Sequence, residues 1–245
     1  MNPVPTLRYG VFGDIHSNLS ALHAVWEAME RERVDGYLCL GDIVGYGADA
    51  RECVALVRDL DPVIVGGNHD WAVAGKLGLE YFNIQAQAAV VWTRRALDDR
   101  DIEWLGNLPL TRVVGDITLA HGTVHNPPAF EYMQTPYDAH LSFQELQTNT
   151  AFVGHSHIPV SFFDGTPITY SIEHRIEFGD RICIANPGSV GQPRDEDPRA
   201  SFAIFDTESR TLQVRRVEYD IGRTIGGILR AGLPVLLGER LRIGR

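Results

Sequence analysis

Short apolar runs alternate with amphipathic stretches through the first third of the chain, which predicts strands and helices in turn. Arg8–Phe12 (RYGVF) closes on Gly13 and reads as a buried strand. Leu19, Leu22, Val25, Trp26 and Met29 then recur at helical spacing, with Ser17, Asn18 or Ser20 as candidate N-caps. The run YLCL from Tyr37 ends in Gly41-Asp42 and precedes a second helical pattern, ADARECVALVRDL. A third run, PVIV from Pro62, ends in GGNHD. Strand, polar loop and helix in repetition predict right-handed βαβ units on a parallel sheet. Such sheets gather ligands at the carboxyl ends of their strands.

The pattern changes towards the C-terminus. NIQAQAAVVWTRRAL, from Asn83, fits one amphipathic helix. RVVGDITLAH, FFDGTPITY and IEFGDRICIA each set a Gly-Asp or Asp-Gly turn between β-rich halves, and each reads as a hairpin. SFAIFDTESRTLQVRRVEY repeats the theme around a polar turn. The expected architecture is α/β, two packed mixed β-sheets flanked by helices in an αββα sandwich, with residues 1–245 forming one domain.

Composition narrows the setting. With 44% hydrophobic residues in 245, a substantial core can form. No apolar run approaches the roughly 18 residues of a membrane span, so neither a transmembrane helix nor a membrane partner is expected. MNPVPTLRYG lacks the basic and apolar regions of a secretory signal. Cys39, Cys53 and Cys183 are odd in number, far apart and without a CxxC pair. They are expected as reduced, buried thiols in a cytoplasmic protein. The formal charge of −10 argues against an extended nucleic-acid partner but leaves room for a small phosphorylated substrate in a locally positive pocket.

The strand ends carry the chemistry. Asp14-x-His16 follows the first, Asp42 the second, and Asn68-His69-Asp70 the third. ITLAHG delivers His121, and AFVGHSH delivers His155 and His157. Carboxylate, carboxamide and imidazole groups gathered on one sheet edge are ligand types for Zn, Mn, Fe, Co or Ni. Any single pair is ordinary loop polarity; five such segments, each closing a strand, are not explained by turn chemistry. His125 competes with His121, but His121 ends its strand directly and His125 is expected on the rim. His23, His140 and His174 have no such context and are expected to be structural or surface groups.

DIH, GDIVGYG, GNHD, HG and GHSH, in this order, resemble the calcineurin-like metallophosphoesterase superfamily, and NPGSVGQPRD resembles its smaller bacterial phosphodiesterase branch. The resemblance implies Asp14, His16 and His157 on one metal, and Asn68, His121 and His155 on a second, with Asp42 bridging. It implies two divalent ions, manganese favoured, and attack on phosphorus by a bridging hydroxide. His69 matches the family's catalytic histidine, with Asp70 as its candidate orienter. The expected activity is hydrolysis of a small phosphodiester or nucleotide, because two dications less two aspartates and a hydroxide leave a single positive charge. Alternatives are a dinucleoside-polyphosphate hydrolase, a phosphoserine/threonine phosphatase and, more remotely, a non-catalytic protein-binding scaffold. The phosphatase pattern GDxxDRG is not met, since the chain reads GDIVGYG without the arginine. Arg194, Tyr46 and Arg51 are the candidate substrate-binding residues, Tyr46 either as a packed loop aromatic or as a stacking surface. The C-terminal run ILRAGLPVLLGERLRIGR is expected to pack on its own domain, with a second copy of the chain as the alternative partner.

Overall fold

In chain order the strands are β1 (Arg8–Phe12), β2 (Gly36–Cys39), β3 (Val63–Ile64), β4 (Thr111–Val114), β5 (Ile117–Ala120) and β6 (Thr150–Phe152). They continue as β7 (Val160–Phe163), β8 (Thr169–Ser171), β9 (Arg175–Glu177), β10 (Cys183–Asn186), β11 (Ala200–Asp206) and β12 (Thr211–Val217). The helices are α1 (Leu19–Glu32), α2 (Ala50–Leu60), α3 (Asn68–Val73) and α4 (Ile84–Ala96). After them come α5 (Asp99–Asn107), α6 (Pro136–Glu145), α7 (Ile221–Arg230) and α8 (Val235–Glu239). The structure, a computed structural model, describes residues 7–245. Most of the absent secretory pattern falls on residues 1–6 and lies outside the described residues.

Two mixed sheets of six strands form, in the orders β3-β2-β1-β11-β12-β9 and β4-β5-β6-β10-β7-β8. The predicted βαβ units are present: β1, β2 and β3 run parallel, with Val11 beside Leu38 and Leu38 beside Val63. α1 starts where Asn18, among the three cap candidates, accepts a hydrogen bond from the Ala21 N–H at 3.1 Å.

The alternation of strand side chains sorts the core into layers. Val11, Leu38, Leu119, Phe152, Cys183 and Ala185 point inward and form the layer between the sheets. Their chain neighbours turn outward: Phe12 and Cys39 pack under α1 and α2, and Ala120, Ala151 and Ile184 pack with Ala139 of α6. All three cysteines are free and buried, as expected.

One hairpin expectation fails. The halves of IEFGDRICIA lie in different sheets, β9 pairing with β12 and β10 slotting between β6 and β7. The Gly179-Asp180 turn is real, with Gly179 at φ +57° and the Arg181 N–H bonded to the Phe178 carbonyl, but it moves the chain across the core. Phe178 is fully buried on the way, stacked on Phe205 at 5.5 Å. Cys183–Asn186 is buried on both faces and therefore suits a central strand; a two-stranded hairpin would leave one face in water. The other Gly-Asp and Asp-Gly turns do join paired strands, β4 to β5 and β7 to β8.

The C-terminal run packs on its own chain. Leu233, Leu237 and Leu241 bury against Ala86 and Ala89 of α4 and against Tyr46. No helix among the described residues is long and apolar enough to cross a membrane.

Candidate metal centre

The predicted donors stand at the carboxyl ends of β1, β2 and β3 in one sheet and of β5 and β6 in the other. The loops are locked to one another through the backbone. Asp14 N–H donates to the Gly41 carbonyl at 2.9 Å, and the Ile15 and His16 amides both donate to the Asp42 carbonyl, at 2.8 and 2.9 Å. The Gly154 amide donates to the His121 carbonyl at 2.8 Å, tying the second sheet's loops together. The His155 amide reaches back to the Asp14 carboxylate at 3.1 Å and so joins the two sheets.

Asp14, His16, Ser17, Asp42, Tyr46, Phe130, His155 and His157 all have positive φ, between 49° and 66°. Left-handed backbone at residues with a Cβ costs on the order of 1 kcal/mol or more each and persists only where the surroundings enforce it. Its concentration on the donor loops marks a site built at the expense of local backbone comfort.

Three overlapping groups have ligand atoms within 4.8 Å of one another: Asp14, His16 and His157; His16, Asp42 and His69; and Asp42, His121 and His155. The Asn68 side-chain oxygen joins the last, 3.2 Å from His121 Nε2. Asp42 belongs to two groups and stands between the others, 3.6 Å from His16 Nε2 and 3.3 Å from His121 Nε2 through Oδ2.

The donor set fits cations and fits poorly without them. His16, His121 and His157 each donate from Nδ1 to a backbone carbonyl, those of Val44, Leu40 and Gln192. That fixes the tautomer and aims the Nε2 lone pairs inward. His16 Nε2 and His157 Nε2 then face each other at 3.1 Å, and His121 Nε2 faces His155 Nδ1 at 3.2 Å. Asp42 Oδ2 is buried without a hydrogen-bond partner among the described residues. Converging lone pairs around an unpaired carboxylate oxygen need a positive charge between them.

Protonation follows from burial and from the carboxylates. Burial holds His16, His155 and His157 below the usual imidazole range and brings His69 down to about 4. Burial opposes the proton on His121 too, but the adjoining Asp42 and Asp14 carboxylates outweigh it and lift His121 to about 9. Burial would raise Asp42, yet His121, His69 and His16 around it hold it well below the carboxylate range. Here a proton on His121 plays the part that a cation would play.

His69 is buried at the start of α3, its ring 4.5 Å from Tyr46 and edge-on to Phe82 at 5.0 Å. Its amide donates to Asp42 Oδ1 at 2.9 Å, and its Nδ1 has no partner among the described residues. Gly45, at φ +99°, makes this possible, because any Cβ there would overlap the His69 ring.

Two expected roles need correction. Asp70 does not orient His69: Oδ1 accepts from the Ile43 and Val44 amides and Oδ2 from the Gly67 amide. It is a brace that pins the Asp42 loop to α3, and burial with Asp42 nearby pushes its carboxyl up to about 7. Arg51 lies on the exposed side of α2, donates to the Ala96 carbonyl at 2.9 Å and does not reach the site. On a helix whose buried residues are Ala50, Cys53, Val54 and Val57, position 51 faces outward. His125 lies outside the donor groups and pairs with Glu131 at 2.9 Å.

A cavity of about 430 Å³ stands over the donors, lined by Asp42, Asn68, His69, His155 and His157 at its base and by Tyr46 and Arg194 at its side. Arg194 donates from Nη2 to the Tyr46 hydroxyl at 3.3 Å and to Gln192 Oε1 at 3.1 Å, while its buried Nε has no partner among the described residues. The NPGSVGQPRD segment chiefly supports the donors. Ser189 Oγ donates to the Asp14 carbonyl, and the Gln192 carbonyl holds His157. The remaining wall, which the motifs do not reveal, comes from Leu77, Phe82, Phe130 and Tyr132.

A double-sheet sandwich with clustered Asp, Asn and His donors on its strand ends defines a metal-dependent phosphoesterase class. The calcineurin-like phosphoesterase superfamily domain matches residues 7–210, and the chain belongs to that superfamily. An uncharacterised protein of Methanocaldococcus jannaschii is 40% identical over 241 residues, 96% of this chain and 97% of the relative. The crystal structure of a metallophosphoesterase from Sphaerobacter thermophilus shares 39% identity, covering 98% of this chain and all of that one, with a TM-score of 0.89. A hypothetical protein of Pyrococcus horikoshii shares the fold at 22% identity and a TM-score of 0.77, covering 97% and 98% of the two chains. Membership implies hydrolysis of phosphoric esters.

Proposed function

We propose that the chain hydrolyses small phosphodiesters at a two-cation centre. Asp14, His16 and His157 would hold one ion, Asn68, His121 and His155 the other, and Asp42 both. The observation that carries the reading is the set of inward-facing imidazole lone pairs around the unpartnered Asp42 Oδ2, at the base of a cavity wide enough for groups on phosphorus. Divalent ions, manganese favoured, supply Lewis-acid polarisation of phosphoryl oxygens and a water activated for in-line attack at neutral pH.

The chain's own residues do the rest. His69, kept neutral by burial, donates an N–H to a phosphoryl or leaving oxygen, and an anion beside it favours taking up a proton. Arg194 meets a non-bridging oxygen through its guanidinium, held in place by Tyr46 and Gln192. Phe82 and Phe130 keep water from the base of the cavity. Arg194 also favours a second reading, a phosphomonoesterase, since it supplies the extra positive charge that a dianion needs.

The test is a side-by-side assay of manganese-loaded protein on an aryl phosphodiester, an aryl phosphomonoester and a dinucleoside polyphosphate. Highest kcat/KM on the diester supports the proposal; preference for the monoester or the polyphosphate replaces it with that reading. Turnover of none, with metal bound, would leave the non-catalytic scaffold.

A further inference from the structure

The aromatic residue that the motifs offer for stacking is not the one free to stack. Tyr46 is only 7% exposed, its ring packed at 4.5 Å against both His16 and His69 and backed by the C-terminal leucines. Neither face is open to a ligand. Tyr132 is placed differently. One face lies flat on His155, with ring centres 4.1 Å apart and planes 18° apart, yet the residue is 47% exposed and lines the same cavity. Its second face is therefore bare, directly above a proposed metal ligand. Tyr81, also on the cavity wall, is 74% exposed.

An aromatic ring held rigidly by a neighbour and left open on its far side is the arrangement that stacks a flat group, and little side-chain freedom remains to be lost. Nearby, Arg194 lines the same cavity, its guanidinium steadied by the Tyr46 hydroxyl and Gln192 Oε1. The two features fit opposite ends of one molecule, an anionic phosphoryl group and a planar aromatic group.

We propose that Tyr132 selects phosphoesters carrying a planar aromatic group, of which a nucleobase on a nucleoside phosphate is the biological form. The inference deepens the phosphoesterase reading and rests on it for the position of the phosphoryl group. It makes Tyr132 a specificity residue; it gives it no part in bond breaking.

The test is equilibrium binding to the manganese-loaded, full-length protein, followed by titration with adenosine 5′-monophosphate, phenyl phosphate and ribose 5-phosphate. The first two are expected to bind about tenfold or more tightly than the third, because stacking on one aromatic ring is worth about that much. Equal affinity for all three would overturn the proposal. A preference for the adenine ligand over phenyl phosphate identifies the base; equal affinity of those two identifies any flat ring. In Tyr132→Leu the aromatic advantage should shrink to within about twofold while ribose 5-phosphate binding and manganese content hold; an advantage that persists overturns the proposal. Should Tyr132→Leu disturb His155 and lose manganese, Tyr132→Trp decides: a retained or larger advantage supports the role, and a lost one overturns it. Failure of the diester reading shows separately, as absent diester turnover with these affinities unchanged.

Discussion

The space between the sheets and the rim where the strands end obey opposite rules. Between the sheets, Val11, Leu38, Leu119, Phe152 and Phe205 are apolar, almost fully buried and set by strict alternation. At the rim, a few residues further along the same strands, Asp14, His16, Asp42, His121 and His157 are just as buried but polar, and four of these five sit in left-handed backbone. The interior supplies stability through apolar burial. The rim consumes some of it to hold lone pairs and carboxylates in one place. The lesson is that substitutions in the two zones should separate stability from activity almost cleanly.

The largest effects test that separation directly. Asp42→Asn should cut turnover by at least a hundredfold and lower manganese content, measured by elemental analysis. Phe152→Ala should do the reverse: a loss of about 3–5 kcal/mol in denaturant unfolding, with activity per folded molecule retained. A Phe152→Ala variant that is stable but inactive would break the comparison.

Acid should sharpen it. In the metal-free protein burial holds His16, His69, His155 and His157 below the value near 6.5 that they regain on unfolding. Below that value the unfolded chain binds more protons through these groups, so stability falls as pH falls. Asp70, raised to about 7, works against them by holding a proton in the folded state down to the ordinary carboxylate range. His121, raised to about 9, adds nothing more once both states are protonated. Four groups against one predict a metal-free melting temperature that drops from pH 7 to pH 5. Protons also displace cations from imidazole, so turnover should fall over the same range. A melting temperature that rises on acidification would contradict the burial account.

Subtler changes probe the rim alone. Gly45→Ala should push the His69 ring aside and reduce kcat by about a hundredfold, with manganese content kept. Arg51→Ala should change neither kcat nor KM, because its guanidinium donates to the Ala96 carbonyl, away from the cavity. A KM effect there would return Arg51 to the substrate site.

Much of this was legible in the residue order because strand ends announce themselves. An apolar run stopping at Gly13 or Gly41 tells where a polar side chain must emerge, and such runs alone place Asp14, Asp42 and His121 at strand ends. Turn chemistry is less informative: Gly179-Asp180 makes the same local bend whether the next strand returns to its neighbour or crosses to the other sheet. What decided it was the burial of both faces of β10. Adjacency misled at Asp70, where a carboxylate beside His69 in sequence turns to backbone amides instead. Tyr132 had no periodic or motif context at all; its place over His155 follows from how the second sheet's loops fold back.

The hydrogen bonds from His16, His121 and His157 to main-chain carbonyls have a practical corollary. Because those rings are already oriented, filling the cage demands little rearrangement, and exchange of one transition ion for another should proceed without unfolding. Preparations grown in media of differing trace-element supply should then differ in which ion they carry while keeping nearly superimposable backbones.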